Sequence, residues 1–440
     1  MKRQALFCQP IRQRDLPVTL WLRKGGLGTA LGLAVGLAVL GISAAPAPAQ
    51  APREPIKIGV LSELGLPAYA KLARHQVAAA EIAAEEINAA GGVLGRPIRL
   101  IVRDSKAAPA EGVRQARDLI ERERVFALYH TGSSAVALAV SEVAREKKVP
   151  FNAASASVEI TADQGHRYVL RTLPNNLTTM NARVVVRLAQ ERGWKRIYFI
   201  GADYAWPQRV YKDLKEHMAE AAPDMRMVGE QWPKLGATDY SPQIAAIAAA
   251  AKEIDLLVQM FIGGDFITFN RQASAFGLWG RLRSLGIGGI LEAGALKDDL
   301  PKGFLSLDSY PFWLIERPVS KAFVTKFRGK VGEWPNLFAP LGYEGVWVFA
   351  ELIEKAGVVD REKLIDAIGG HEFKHSLRGQ VVGRGCDNQY LASQWIGEVD
   401  DVRLPDGQTY RVIGSKSVEY TMTNYPRLFL SCEEVQKLRR

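Results

Sequence analysis

Between residues 56 and 261, short β-branched runs alternate with helical repeats, and this alternation restricts the fold more than any other feature of the chain. Ile56, Ile58 and Val60 alternate as in a strand. Ala73, Val77, Ala80, Ala84 and Ile87 then recur at spacings of three and four, which draws an apolar stripe along a helix that Gly91-Gly92 ends. A second strand is predicted over 98–102, a helix through Val113, Ala116 and Ile120, a strand over 125–129 and a helix over 134–146. This is the pattern of βαβ units, whose parallel sheet carries helices on both faces.

The pattern restarts after Pro174-Asn175-Asn176, with a helix through Val184, Leu188 and Ala189, a strand over 196–200, helices over 211–219 and 243–252, and a strand over 255–261. So many units would make a single sheet unusually wide, so two α/β lobes joined near 172–175 are expected, with a cleft between them. The stretches 311–318 and 379–385 are candidate further crossings between the lobes.

The first fifty residues differ from the rest. Lys2, Arg3, Arg12, Arg14, Arg23 and Lys24 precede an apolar Gly/Ala/Leu-rich run over 25–45, followed by Ala47-Pro48-Ala49. Small residues at those positions are what a signal peptidase reads, so residues 1–49 are expected to be a signal peptide cleaved after Ala49. The competing reading is a permanent membrane anchor, since the run approaches the length that spans a bilayer. Loss of six basic residues and Asp15 with the leader lowers the formal net charge of +10 by five. The remaining charge is dispersed, with no basic block interleaved with aromatics, so nucleic acid is not an expected partner. Cys8 lies in the leader and before the apolar run, which argues against a lipid anchor; Cys386 and Cys432 remain, and in an oxidising compartment they are expected to form a disulfide.

His371-Glu372-Phe373-Lys374-His375 matches the H-E-x-x-H string of zinc proteases, with Glu398 a conceivable third ligand. That chemistry needs both imidazoles on one helical face, and Gly369-Gly370 just before the first histidine is a poor helix start, so a solvated loop is expected. Gly26 to Gly32 are glycine-rich but lie in the leader with the wrong spacing for a dinucleotide fingerprint. No catalytic constellation stands out, and no enzyme activity, cofactor or metal is expected. More informative is Tyr129-His130-Thr131-Gly132-Ser133-Ser134, which ends a strand and opens a helix. Unpaired amides there favour an anionic ligand group, although Ser133 or Ser134 could equally serve as an ordinary helix cap. After the next strand, Ala153-Ala154-Ser155-Ala156-Ser157 is built from small residues that would let backbone approach a ligand, or simply make a tight turn.

The run Ile87-Asn88-Ala89-Ala90-Gly91-Gly92-Val93-Leu94-Gly95-Arg96-Pro97-Ile98 resembles a segment that marks the leucine/isoleucine/valine-binding family of periplasmic proteins. Gly132-Ser133-Ser134, Thr238-Asp239-Tyr240-Ser241-Pro242, Arg271-Gln272-Ala273 and Gly385-Cys386-Asp387-Asn388-Gln389 are similar to that family too, and the likeness runs over about 56–398. It implies an α/β type I periplasmic binding protein fold: two doubly wound Rossmann-like lobes, three crossovers and a central cleft. The lobes would be 50–173 plus about 312–378, and 174–311 plus about 379–440. Function would be capture of an amino acid, or a related small carboxylate or amide, by cleft closure, for an ABC transporter permease in the inner membrane. A ligand-sensing receptor module on the same fold is the alternative, and a secreted zinc hydrolase through His371, Glu372 and His375 a remoter one.

Carried over by resemblance, Tyr69 is an aromatic lining the cleft, Ser133 binds the ligand carboxylate with Ser134 beside it, and Ala154 meets the ligand through its backbone. Ala156 stands where amino-acid binders often carry threonine, so Ser155 or Ser157 would have to replace the lost hydroxyl. Trp206 fills a position usually held by tyrosine, and Glu292 matches the acid that pairs with a ligand ammonium. The Ala156 and Trp206 departures imply a ligand other than plain leucine. Tyr204, Phe261 and Tyr310 are candidates for further apolar wall.

Overall fold

The computed structural model describes residues 53–172, 177–287, 296, 299–421 and 424–439. The proposed leader and its cleavage site, most of the 172–175 connection, and Glu292 lie outside the described residues.

The first sheet is formed by β1 (Ile56–Ser62), β2 (Ile98–Asp104), β3 (Ala127–Thr131), β4 (Phe151–Ala154) and β5 (Val169–Leu170), in the order β2-β1-β3-β4-β5 with every pair parallel. Its connections run through α1 (Pro67–Ala89), α2 (Pro109–Glu121) and α3 (Ser134–Lys147). Alternate residues of one strand enter different cores: Ile58, Val60, Ala127 and Tyr129 face the large cluster that contains α1, whereas Leu61 and Leu128 join Leu119 and Val140 on the other face. Two-sided burial is why these strands read as apolar runs.

The second sheet is built from α4 (Leu177–Arg192), β6 (Arg196–Gly201), α5 (Ala205–Ala221), β7 (Arg226–Gln231), α6 (Ser241–Ala249), β8 (Leu256–Met260), α7 (Gly263–Ala275), β9 (Ser284–Ile287) and β10 (Leu305–Asp308). The chain then passes through α8 (Pro318–Val331), α9 (Ala339–Ala356), α10 (Arg361–Asp366) and a small antiparallel sheet of β11 (Glu372–Phe373), β12 (Val381–Arg384) and β13 (Gln389–Tyr390). It closes with β14 (Gln394–Arg403), β15 (Thr409–Ile413), β16 (Val418–Tyr420) and α11 (Cys432–Leu438). The order is β15-β14-β10-β9-β8-β6-β7, with β16 also paired to β14; β6 to β10 are parallel, and the last three strands join antiparallel. Late chain thus returns to both halves: α9 packs on α1, β3 and β4, while β14 extends the second sheet.

The expected strand over 125–129 begins two residues later, because the Val125 amide is used by the Leu119 carbonyl to close α2. The helix expected over 211–219 is longer, since Tyr204 in extended conformation lets it start at Ala205, and the one expected over 243–252 gives way to a 3₁₀ turn after Ala249. Cys386 and Cys432 are bonded, with Cα atoms 5.9 Å apart. This tie holds α11 near the loop after β4, where Leu430 and Val435 pack with Val158 and Ala162 and Arg439 donates to the Thr161 and Ala162 carbonyls.

The expectation of a solvated loop at 371–375 is overturned. His371 is buried, Glu372 and Phe373 form a strand paired with β12, and both imidazoles bind one carboxylate, that of Glu351 on α9 (His371 Nε2 3.1 Å, His375 Nδ1 2.6 Å). Burial alone would raise the Glu351 carboxyl, but hydrogen bonds from the two histidines and from the Lys374 and His375 amides hold it down at about 2. The histidines therefore anchor a hairpin to a helix and do not share a helical face.

Candidate functional site

Loops at the carboxyl ends of strands in both sheets meet around a crevice lined from both sides. Open α/β sheets place their ligand sites there, because helix N-termini and strand ends converge on that edge. The first wall takes Tyr69 from the first turn of α1, Gly132 and Ser134 from the β3–α3 junction, and Ala154, Ser155 and Ala156 from the end of β4. Leu337, Phe338 and Leu341 at the start of α9 complete it. The second wall takes Tyr204 and Trp206 from the start of α5, Ile262 before α7, Leu307 and Ser309 from the end of β10, and Gln394 from the start of β14. No charged side chain lines the crevice among the described residues.

The walls touch. Tyr69 Oη donates to Tyr204 Oη at 2.9 Å, and burial pushes both phenols far above their usual pKa, so they stay protonated. The start of α7 comes so near α1 that a Cβ on Gly263 would sit 2.2 Å from the Ala68 carbonyl oxygen. Only glycine permits this approach, and its φ of +52° suits glycine as well.

Behind the first wall lies a buried polar assembly. Glu63 Oε1 receives the Ser133 amide at 3.1 Å and lies 2.8 Å from His130 Nε2, while His130 Nδ1 lies 3.2 Å from Ser155 Oγ. Glu63 and His130 are wholly buried. Gly132, with φ +126°, makes room for them: a Cβ there would fall 1.8 Å from Glu63 Oε2. Arg171, also wholly buried, donates to the Ser155 and Ser157 carbonyls (2.9 and 2.6 Å) and to Thr161 Oγ1 (2.8 Å), which fixes the loop after β4. Burial lowers the Arg171 pKa to about 9, with Asp387 and Glu159 opposing the shift. On the second wall, by contrast, both amide atoms of the fully buried Gln394 and the indole N–H of Trp206 have no protein partner.

Of the residues singled out from the sequence, Tyr69, Ser134, Ala154, Ser155, Ala156 and Trp206 come together around the crevice, and Tyr204 joins them. Ser133 is not among the lining residues; its amide is spent on Glu63, and its side chain makes no capping bond to α3. Phe261 packs with Tyr240 and Phe269, and Tyr310 bonds Ser320, so both belong to the core and not to the wall. Gln394, Leu307, Ser309 and Phe338 were missed, since each lies far along the chain from the motif-bearing loops. A strand-opening glutamine carries no local signal, and only the buried acid of Ser62-Glu63 at a strand end was available to hint at the assembly behind Ser155.

A family model described as periplasmic binding protein matches residues 55–408. The leucine-, isoleucine-, valine-, threonine- and alanine-binding protein of Pseudomonas aeruginosa is 25% identical over 303 residues, covering 68% of this chain and 78% of that protein. Leu/Ile/Val-binding protein homolog 7 of Brucella abortus is 26% identical over 403 residues, covering 84% and 98%. Among solved structures, a solute binding protein of an ABC transporter from Rhodopseudomonas palustris, in complex with 3,4-dihydroxybenzoic acid, superposes with a TM-score of 0.73 at 22% identity, covering 83% of this chain and 97% of its own. A model matched over most of the chain, on a fold of two lobes with parallel sheets and a crevice between them, shows that this chain belongs to the periplasmic binding protein family.

Proposed function

We propose that the chain is the substrate-binding component of an ABC uptake transporter, exported to the periplasm with its leader removed after Ala49, and that it closes around a small, largely apolar carboxylate or amide. The observation that carries this reading is the crevice itself. It is roofed by aromatic and aliphatic side chains from both lobes, and its polar groups are few and buried. Names of similar proteins agree with that class, one being a binder of leucine, isoleucine, valine, threonine and alanine and another holding 3,4-dihydroxybenzoic acid. The lobe limits proposed are 50–173 plus about 312–378 and 174–311 plus about 379–440; the packing of α9 on α1 and the pairing of β14 with β10 support them. Binding is written as closure, because a solute touching Ser134 and Ala154 on one side and Trp206 and Gln394 on the other has more contacts in the closed form. Glu292 remains a proposed partner for a ligand ammonium. A permease that recognises the closed form completes the cycle.

The test is a thermal-shift series of the mature protein with amino acids, aromatic acids and small amides, followed by X-ray scattering with each hit. A ligand at a hundred times its Kd adds about 2.7 kcal/mol of stability, and the radius of gyration should fall on binding. A full panel with no stabilising compound, or a hit that leaves scattering unchanged, removes the reading.

A further inference from the structure

The two serines of the first wall differ in what they have left to offer a ligand. Ser134 Oγ accepts the Ser157 amide at 3.2 Å, which leaves its own proton free to donate into the crevice. Ser155 is the reverse. Glu63 Oε1 already accepts the Ser133 amide, a group that can only donate, so a carboxylate at this position draws the His130 proton to Nε2. In a ring that carries that single proton, His130 Nδ1 is a bare acceptor, and it lies 3.2 Å from Ser155 Oγ, placed to accept the hydroxyl hydrogen bond. What Ser155 shows the crevice is lone pairs alone.

We propose that the Glu63–His130–Ser155 relay makes Ser155 an acceptor-only contact opposite the donor Ser134, so that the first wall selects a ligand head group carrying a hydrogen-bond acceptor beside a donor, as a primary carboxamide does. This rests on the crevice being the ligand site. Ser155 is the specificity-determining contact; Glu63 and His130 are positioning residues. A carboxylate, which can only accept, leaves the Ser155 lone pairs facing its own, and in a crevice without charged lining residues among those described that mismatch is poorly screened. The series of acid, imidazole and hydroxyl does not make a hydrolase here, because His130 is wholly buried and absent from the lining, so its ring cannot reach a leaving group. The room for the carboxylate comes from Gly132, whose missing Cβ would occupy the place of Glu63 Oε2.

Two measurements test this. Long-range ¹H–¹⁵N spectra of the imidazoles, with His130 assigned by its loss in His130→Gln, should show a neutral ring protonated at Nε2 near neutral pH. A ring protonated at Nδ1, or at both nitrogens, overturns the relay whatever the protein binds. Calorimetric titration with matched pairs, benzamide with benzoate and isobutyramide with isobutyrate, should favour the amide. Ser155→Ala should lower amide affinity about tenfold and change acid affinity less than about twofold. Glu63→Gln, which keeps an acceptor at the Oε1 position, should retain the preference, and His130→Phe should erase it. Equal weakening of both members by Ser155→Ala, or a wild-type preference for the acid, sinks the proposal. Binding of neither pair would count against the proposed ligand class, while the imidazole spectra would still decide the relay.

Discussion

The two walls of the crevice are built on opposite plans. On the first, the polar groups at the end of β3 and β4 are held in place from behind by the buried Arg171, His130 and Glu63. On the second, Gln394 and Trp206 line the crevice and hold buried polar atoms that have no partner within the protein. The first wall is thus organised before any ligand arrives, whereas the second carries hydrogen-bonding capacity that a ligand can satisfy. A buried polar group without a partner costs free energy, so the second wall gains more when the lobes close on solute. This division lets one lobe set orientation while the other drives closure.

Removing the support of the first wall should have the largest effect. Arg171→Ala takes the donor away from the buried Ser155 and Ser157 carbonyls and from Thr161 Oγ1, and it is expected to cost about 3–5 kcal/mol of stability in denaturant titration together with ligand binding. A loss below about 1 kcal/mol would show that the wall does not depend on this side chain. Where the walls meet, Gly263→Ala drives a methyl group against the Ala68 carbonyl, with an expected cost to closure of about 1–3 kcal/mol. Affinity should fall accordingly and the unliganded protein should also melt lower, because a φ of +52° strains alanine whether or not the cleft is closed; unchanged affinity would mean that α1 and α7 need not approach for binding.

At the second wall, burial raises the Asp308 carboxyl from 3.8 to about 6, despite the amides of Tyr310 and Ser309. The folded chain then holds this proton up to about pH 6 and the unfolded chain releases it near pH 4. Its contribution is therefore complete below pH 4 and lost as pH rises through about 6. Asp308→Asn should leave stability unchanged at the acid end and raise it by about 1–3 kcal/mol above pH 7, read from the pH dependence of chemical unfolding. A gain of equal size at all pH values would refute the assignment. The mildest case is Gln394→Leu, which deletes two unpaired buried polar atoms. It should stabilise the free protein by about 1 kcal/mol and weaken ligand about tenfold. If Gln394→Leu destabilises the free form instead, the amide has a partner without ligand and the contrast between the walls fails.

The first wall was also the more legible one. Gly132-Ser133-Ser134 and Ala153 to Ser157 are strings of small residues set between apolar and helical segments, so their place at strand ends was open to local reading, and Tyr69, Ser134, Ala154, Ser155 and Ala156 do face the crevice. Ser133 does not line the crevice, and a pattern of small polar residues does not say which one will; its backbone N–H is instead held by a hydrogen bond to Glu63, seventy residues away in sequence. Trp206 was carried over by resemblance and Tyr204 stood beside it as a candidate wall aromatic, whereas Leu307, Ser309 and Gln394 come from β10 and β14, whose pairing brings together residues some ninety positions apart. The loop expected at His371 to His375 failed for the same reason: the burial of this segment is set by Glu351 on α9, which lies outside the string.

The sequence by itself determined the alternation of strands and helices and the two-lobed α/β architecture, because periodicity is a local property that each segment carries alone; the family was legible as a resemblance of motif strings, and the cysteine pair from the number of cysteines left beyond the leader. Only the tertiary structure decided which side chains share the crevice, which polar atoms stay unpaired there, and which buried groups stand behind Ser155. Those depend on contacts between segments far apart in the chain, and a hydrogen bond has a direction only once both of its ends are in place.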